Sequence, residues 1–411
     1  MGELNLHKFI VCRNLLKDSI FIKLAAYLDD TQDISLRNDL ITELIEKAEM
    51  IGLSGNLIRS YTIYLMSQGN HIVAVMAERS NGQIGASLFN AFQADMATMY
   101  HLLNLQPSLF MQTKILDAYQ PTSYNTSPAL ICLQKSIAEA ASGEELAKIF
   151  IDYYRVYGFG NIANYRAFRW NTEKHLIGIQ AFDKLTMDDL IGYEQQKASL
   201  LSNTEAFVSG RPANNVLLVG ARGTGKSSGV KALANQYFGM GLRLIEIAKN
   251  QLIELPKIME TLRSYSSKKF IIFLDDLSFE EYEAEYKHLK SAIEGGVEAK
   301  PANVLIYATS NRRHLIKETW KDRDSSDEVH RTDSQNEMIS LSDRFGLTIY
   351  YLAPNQEEYL CIIAALLKKQ GISMNTDLRT QALRWELQHS GRSGRTAQQF
   401  VNHYLGILRE N

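Results

Sequence analysis

The 411-residue chain has room for two or three domains, since domains commonly hold roughly 100–200 residues. Hydrophobic residues make up 45%, close to the globular norm, which excludes wholesale disorder. With 44 Lys and Arg against 46 Asp and Glu, the formal net charge of -2 excludes a globally basic nucleic-acid binder and leaves recognition to local surfaces.

The three cysteines, Cys12, Cys132 and Cys361, are scattered and odd in number, so neither a disulfide framework nor metal-ligand spacing is expected. The nine histidines form no H-x-x-x-H or His/Cys cluster, and no transition-metal site is expected. The first residues lack the apolar core of a signal peptide. Arg59, Gln68, His71 and Glu78 break the longest apolar stretches below the roughly 18 residues needed to span a bilayer. A soluble, cytoplasmic chain with no membrane partner is the expectation.

Only three of the seven prolines, Pro107, Pro121 and Pro128, precede Pro212, so the first half can carry long helices. Leu36, Leu40, Ile41, Leu44, Ile45 and Ala48 recur at helical spacing and predict a helix over 35–51 that stops at Gly52. A second helix is predicted over 86–104, with Leu88, Phe92, Met96, Met99 and Leu103 as a core stripe. A third opens at the capping box of Ser142 and Glu145 and ends at Gly158. Residues 1–170 are therefore read as a mainly α-helical N-terminal domain.

Between Tyr153 and Trp170, aromatic rings interleave with Arg155, Arg166 and Arg169. Such a run can stack on single-stranded nucleic acid. Its irregular spacing favours instead a domain junction that packs the rings and turns the arginines outward. After residue 180 the rhythm changes to short apolar runs, Asn215–Val219, Leu242–Ile247, Phe270–Leu274, Asn303–Tyr307 and Leu347–Tyr351, which predict buried parallel strands. Helical patterns at Lys226–Tyr237, Leu252–Ser264 and Phe279–Ile293 alternate with them, as in βαβ units. From Asn355 onward the pattern is wholly helical, and residues 321–337 are polar enough for a mobile loop.

The sharpest signal is Gly220-Ala-Arg-Gly-Thr-Gly-Lys-Ser227, a G-x-x-x-x-G-K-[ST] (Walker A) loop directly after a predicted strand. Chance supplies this pattern in roughly one to two per cent of chains of this size. Here Gly220, Ala221, Arg222, Gly223, Thr224, Gly225, Lys226, Ser227 and Ser228 are the candidate nucleotide contacts. The glycines let backbone N–H groups close on phosphate oxygens at a helix N-terminus. Lys226 reaches the β and γ phosphates, and the Ser227 hydroxyl ligates Mg²⁺. Phe270-Ile-Ile-Phe-Leu-Asp-Asp276 then delivers two carboxylates to the C-terminal edge of a strand. Asp275 is read as the second Mg²⁺ partner and Asp276 as the group that polarises the attacking water.

With these motifs in order, the chain resembles the AAA+ ATPases over about residues 170 to 411. The resemblance implies an α/β P-loop NTPase with a parallel-sheet core over 171–352 and a small helical lid over 353–411. Asp189-Leu-Ile-Gly-Tyr193 is similar to the adenine-pocket segment, which places Ile191 and Gly192 beside the base. Ala308-Thr-Ser-Asn311 resembles sensor 1, with the role on Asn311 and Ser310 as the alternative. Leu341-Ser-Asp-Arg-Phe-Gly-Leu347 resembles the element bearing the arginine finger, which gives Arg344 to the neighbouring subunit's nucleotide. A surface pair with Asp343 is its structural alternative. Arg312 and Arg313 compete for the subunit boundary. Gly391-Arg-Ser-Gly-Arg395 is similar to sensor 2, with Arg395 on phosphate, or with Arg392 and Arg395 only capping a helix. Asp275-Asp-Leu-Ser-Phe-Glu280, Tyr307–His314 and Ser342-Asp-Arg-Phe345 together resemble a bacterial AAA+ family known only as a domain of unknown function.

Two departures from the AAA+ pattern matter. Asp276 stands where that family usually has Glu, so the water sits closer or Glu280 assists. Ala248-Lys-Asn-Gln-Leu252 lacks the aromatic-apolar-glycine loop of polypeptide-threading rings. The resemblance implies ATP and Mg²⁺ as ligands, hydrolysis to ADP and phosphate in a homo-oligomer, and a protein or DNA partner held by the N-terminal domain. A slow ATP-dependent switch and a P-loop kinase are the competing readings.

Overall fold

The protein is described from a computed structural model over residues 4–123, 126–278, 285–294, 300–311, 343–389 and 391–408. The chain divides into two compact units. The first is Met1–Tyr165 with the turns Gly239–Gly241 and Ser264–Lys268, and the second is Arg166–Phe238, Leu242–Arg263 and Lys269–Asn411.

The described helices of the first unit are α1 (Ser19–Asp29), α2 (Ile34–Ile51), α3 (Leu57–Ser67), α4 (Ile72–Arg79), α5 (Ala86–Leu103), α6 (Pro107–Phe110), α7 (Pro128–Ala138), α8 (Gly143–Tyr157) and α9 (Gly160–Asn164). Helix α2 starts where the Asp33 carboxylate accepts the Leu36 N–H and ends at Gly52, whose φ of 82° favours glycine. Helix α5 buries Phe92, Met96, Met99 and Leu103, four of the five predicted stripe residues, while Leu88 is half-buried. Its buried Asp95 accepts N–H bonds from Ile10, Val11 and Cys12 and so fixes the N-terminal segment. Ser142 caps α8 as predicted by accepting the Glu145 N–H, but the Glu145 carboxylate reaches back to the Ala141 N–H, one residue earlier than a capping box requires. Burial of the His71 imidazole between Phe92 and Tyr154 lowers its pKa to about 4, so it packs neutral.

The aromatic-basic run is split between the two units, and four of its seven rings are buried. Tyr153 and Tyr154 are buried on α8, and Phe168 and Trp170 are buried in the second unit, while Arg155 pairs with Asp152 and Arg169 with Glu246. The first unit ends at Tyr165, five residues before the boundary expected at 170.

The sheet of the second unit runs β2-β1-β4-β5-β6-β3-β7. Its strands are β1 (Ala167–Asn171), β2 (His175–Gly178), β3 (Val216–Gly220), β4 (Leu242–Glu246), β5 (Lys269–Leu274), β6 (Val304–Ser310) and β7 (Leu347–Tyr351). Among the described strands of this sheet, only β1 and β2 pair antiparallel. The sequence reading missed this hairpin, whose strands hold only five and four residues. Strands β3 to β7 match the five predicted runs to within a few residues and are mainly apolar, and α10 (Glu194–Val208), α11 (Lys226–Gln236), α12 (Leu255–Arg263) and α13 (Glu285–Glu294) belong to the same α/β unit. The α/β parallel-sheet class expected from the sequence is the one observed.

After β7 come α14 (Gln356–Lys369), α15 (Thr376–Gln388) and α16 (Gly394–Leu408), which share a core of their own around Tyr359, Ile363, Leu378, Ala397 and Phe400. Asn355 and Glu358 close a reciprocal capping box at the start of α14. Residues 321–337 lie outside the described residues.

The sheet order positions the site. Strand β6 lies between β3 and β5, and all three run parallel. The end of β6 therefore stands between the glycine-rich loop and the two carboxylates.

Candidate nucleotide-binding site

The loop between β3 and α11 needs its glycines. Gly220 has φ 146°, and a Cβ there would lie 1.8 Å from the Tyr351 carbonyl oxygen at the end of β7. Gly223 and Gly225 also have positive φ, 73° and 90°, so the backbone turns back on itself before α11 starts at Lys226. Gly220→Ala is accordingly expected to push β3 and β7 apart at the loop, lowering the melting temperature and weakening nucleotide binding more than tenfold, as thermal shift and calorimetry would read.

Lys226 is buried, and its Nζ donates to Gly220 O at 2.9 Å, Ala221 O at 2.7 Å and Asn311 Oδ1 at 3.1 Å. Burial lowers its pKa, against the pull of Asp276 and Asp275. Ser227 Oγ donates to Asp275 Oδ1 at 2.5 Å, and Thr309 Oγ1 donates to the same oxygen at 2.6 Å. Thr309 Oγ1 also accepts the Asp276 N–H at 2.9 Å. Asp276 has φ 53°, an uncommon conformation for a residue with a side chain, and its carboxylate accepts from Asn311 Nδ2 at 2.6 Å. Lys226, Asn311 and Asp276 thus form one hydrogen-bonded chain, and Ser227, Asp275 and Thr309 another beside it.

Period-2 alternation at the end of β6 decides between the two sensor candidates. Thr309 and Asn311 line the cleft, while Ser310 between them is buried and is not among the lining residues. Thr309 was missed as a site residue; the signal available was its position two residues before Asn311.

The cleft has a volume of about 670 Å³, and its apolar lining is Leu185, Leu190, Ile191, Tyr351, Ile362 and Leu366. Gly192 and Tyr193 both have positive φ, and the Tyr193 hydroxyl donates to Leu352 O at 2.8 Å, which holds the segment against the end of β7. Desolvation raises the Tyr193 pKa to about 12, so it remains a donor. Asp189 pairs with Lys369 on α14 at 2.9 Å, and this ion pair, with the Thr186 N–H, depresses its carboxyl to about 2.

The start of α16 packs against the loop at Gly223. Arg395 lines the cleft, and its N–H donates to Gly223 O at 3.1 Å. Arg392 instead binds Glu386 at 2.6 Å.

Arg222, Thr224, Gly225 and Ser228 line the cleft with Ile191, Gly192, Gly223, Lys226, Ser227, Asp275, Asp276, Asn311 and Arg395. Gly220 and Ala221 meet it through the carbonyls that hold Lys226. Arg344 is not brought to it. It precedes β7, and the register pairs Val216 with Leu347 and Gly220 with Tyr351, so Arg344 belongs to the sheet edge opposite the loop. Strand β7 alone, from Leu347 to Tyr351, spans about 13 Å at roughly 3.3 Å per residue. Glu280, Arg312 and Arg313 lie outside the described residues.

The donor set fits a magnesium nucleotide. Hydroxyl and carboxylate oxygens of Ser227 and Asp275 are the hard ligands Mg²⁺ takes, adjacent to a loop whose glycine Cα atoms admit phosphate. Among the described residues, no helix is long and apolar enough to cross a membrane.

The family model described as Protein of unknown function (DUF815) matches residues 163–408. No curated protein matches the chain. Among solved structures, the chain is similar to the FIGL-1 AAA domain in complex with ADP, with 19% identity over 55% of this chain and 75% of that one and a TM-score of 0.38. It is also similar to the RuvB Holliday junction branch migration motor of Thermotoga maritima, with 16% identity over 53% of this chain and 71% of that one and a TM-score of 0.31. With the family match running from α9 through the sheet and the lid to the end of α16, the chain belongs to the DUF815 family.

Proposed function

We propose that the chain is an AAA+ ATP hydrolase that works as a homo-oligomer, in which nucleotide state moves the lid over 353–411 and the subunit interface to remodel or load a partner held by residues 1–170. The observation that carries this reading is the convergence of Lys226, Ser227, Asp275, Asp276 and Asn311 at one end of the cleft.

Loop N–H groups and Lys226 bind the phosphates, and the segment around Ile191 and Gly192 takes the adenine. Ser227 and Asp275 hold Mg²⁺, which neutralises charge on the β and γ oxygens. The Asp276 carboxylate accepts a hydrogen bond from the attacking water and takes its proton, while Asn311 fixes both carboxylate and water. Water oxygen bonds to the γ phosphorus, the bond to the β-γ bridging oxygen breaks, and ADP leaves with the electron pair. Arg395 follows the phosphates from the lid, and Arg344 enters from the next subunit.

Phosphate release assayed without any acceptor tests this. Mg²⁺-dependent release of free phosphate, with a specific rate that rises with protein concentration, is the expected result. Phosphate that appears only on an added acceptor would make the chain a kinase instead.

A slow switch or scaffold is the second reading, favoured by Asp276 being one methylene shorter than the Glu usual at this place in the AAA+ pattern. Either way the reading favours a protein over a nucleic-acid partner, because Tyr153, Tyr154, Phe168 and Trp170 of the aromatic-basic run are buried. DNA-stimulated, salt-sensitive turnover would reverse that preference. Threading is not proposed, since residues 249–254 form a 3₁₀ turn without a pore-loop aromatic.

A further inference from the structure

Arg222 is the third residue of the phosphate loop, and its place in the loop is informative. Lys226 Nζ lies 2.7 Å from the Ala221 carbonyl oxygen, and the carbonyl carbon is bonded to the nitrogen of Arg222. The later residues, Gly225 to Ser227, enter α11 and offer their N–H groups to the α and β phosphates. The first half of the loop therefore borders the tip of the lysine that reaches the β and γ phosphates, and Arg222 lines the cleft there with an exposed side chain.

The other arginines near the lid and sheet are differently placed. Arg392 is bound to Glu386, and Arg344 belongs to the opposite sheet edge. Arg222 and Arg395 both act electrostatically on Lys226, so three cations converge on one end of the cleft, facing Asp275 and Asp276. Backbone N–H groups and α11 read ADP and ATP alike. Only a group at the terminal phosphate tells them apart, and a guanidinium fork matches the oxygens of a phosphoryl group bidentately.

We propose that Arg222 is a triphosphate-reading arginine supplied in cis, which contacts the γ-phosphoryl group and sustains slow hydrolysis in a single subunit before Arg344 of a neighbour arrives. This rests on the ATP-hydrolase reading above and deepens it.

The test is calorimetry of MgATP and MgADP binding to the full chain and its Arg222→Ala and Arg222→Lys variants, with turnover measured in an Arg344→Ala background. Arg222→Ala is expected to weaken ATP about tenfold or more while leaving ADP within about twofold, with Arg222→Lys intermediate. Residual turnover of Arg344→Ala is expected to fall about tenfold or more on adding Arg222→Ala. Because the side chain is exposed, an unchanged melting temperature accompanies this result. Equal weakening of ATP and ADP, or no change in either, overturns the proposal. If the wild-type chain binds neither nucleotide, the hydrolase reading itself fails and this inference falls with it.

Discussion

Arg344→Ala lowers ATP turnover by about 10³ while leaving ATP affinity unchanged, the size of effect a trans-acting arginine has on phosphoryl transfer. The expectation follows from where β7 puts the residue. Phe345 is buried, and Gly346 has φ 75° with a hypothetical Cβ 2.8 Å from Asn214 Oδ1, so this turn is fixed at the edge of the sheet. The length of β7 then separates Arg344 from the loop of its own chain. In the proposed oligomer Arg344 serves the site of another copy, and turnover should lose its dependence on protein concentration in the variant. Mixing Arg344→Ala with Lys226→Ala subunits provides the decisive measurement. One subunit then offers an intact loop and the other an intact arginine, and turnover is expected to recover. Loss of ATP binding in Arg344→Ala, or no recovery on mixing, would remove the finger role.

Asp276→Asn is the second large effect: turnover falls by about 10²–10⁴, the range for losing a general base, with ATP retained. Lys226, Ser227 and Asp275 are untouched, and the amide keeps the size of the carboxylate in a position whose φ of 53° tolerates Asn. The trapped ATP complex, isolated from cells by its N-terminal unit, is also the form that would retain the partner. Asp276→Glu distinguishes the two functional readings. A large gain in turnover identifies the natural chain as a slow switch held back by one methylene, whereas a loss identifies Asp276 as a base already matched to its water. The hydrogen bond from Asn311 Nδ2 at 2.6 Å favours the second outcome, because a longer side chain would leave it.

Much of the nucleotide site was legible because phosphate binding demands local sequence. A loop that wraps an anion requires glycine where φ is positive, and a parallel strand buried on both faces must be a short apolar run that ends where polar groups can begin. Gly220 to Ser228 and Phe270 to Asp276 state both conditions in consecutive residues. The hairpin of β1 and β2 was not legible, since its strands hold only five and four residues and the parallel partner of β1, β4, lies far along the chain. Thr309 was hidden for a related reason. Nothing local marks a threonine as the hydroxyl that joins a carboxylate to the next peptide N–H.

The sequence by itself determined the helical N-terminal half, the α/β class, the phosphate loop, the acidic strand end and the near-neutral charge that leaves partner recognition to a local surface. Each is written in periodicity, composition or a contiguous motif. The tertiary structure decided what depends on residues far apart: that β6 stands between β3 and β5, that Asn311 rather than Ser310 faces the cleft, that Arg395 rather than Arg392 reaches it, and that Arg344 does not. Strand order and side-chain direction are set by packing across the whole sheet, and no contiguous stretch of chain carries that information.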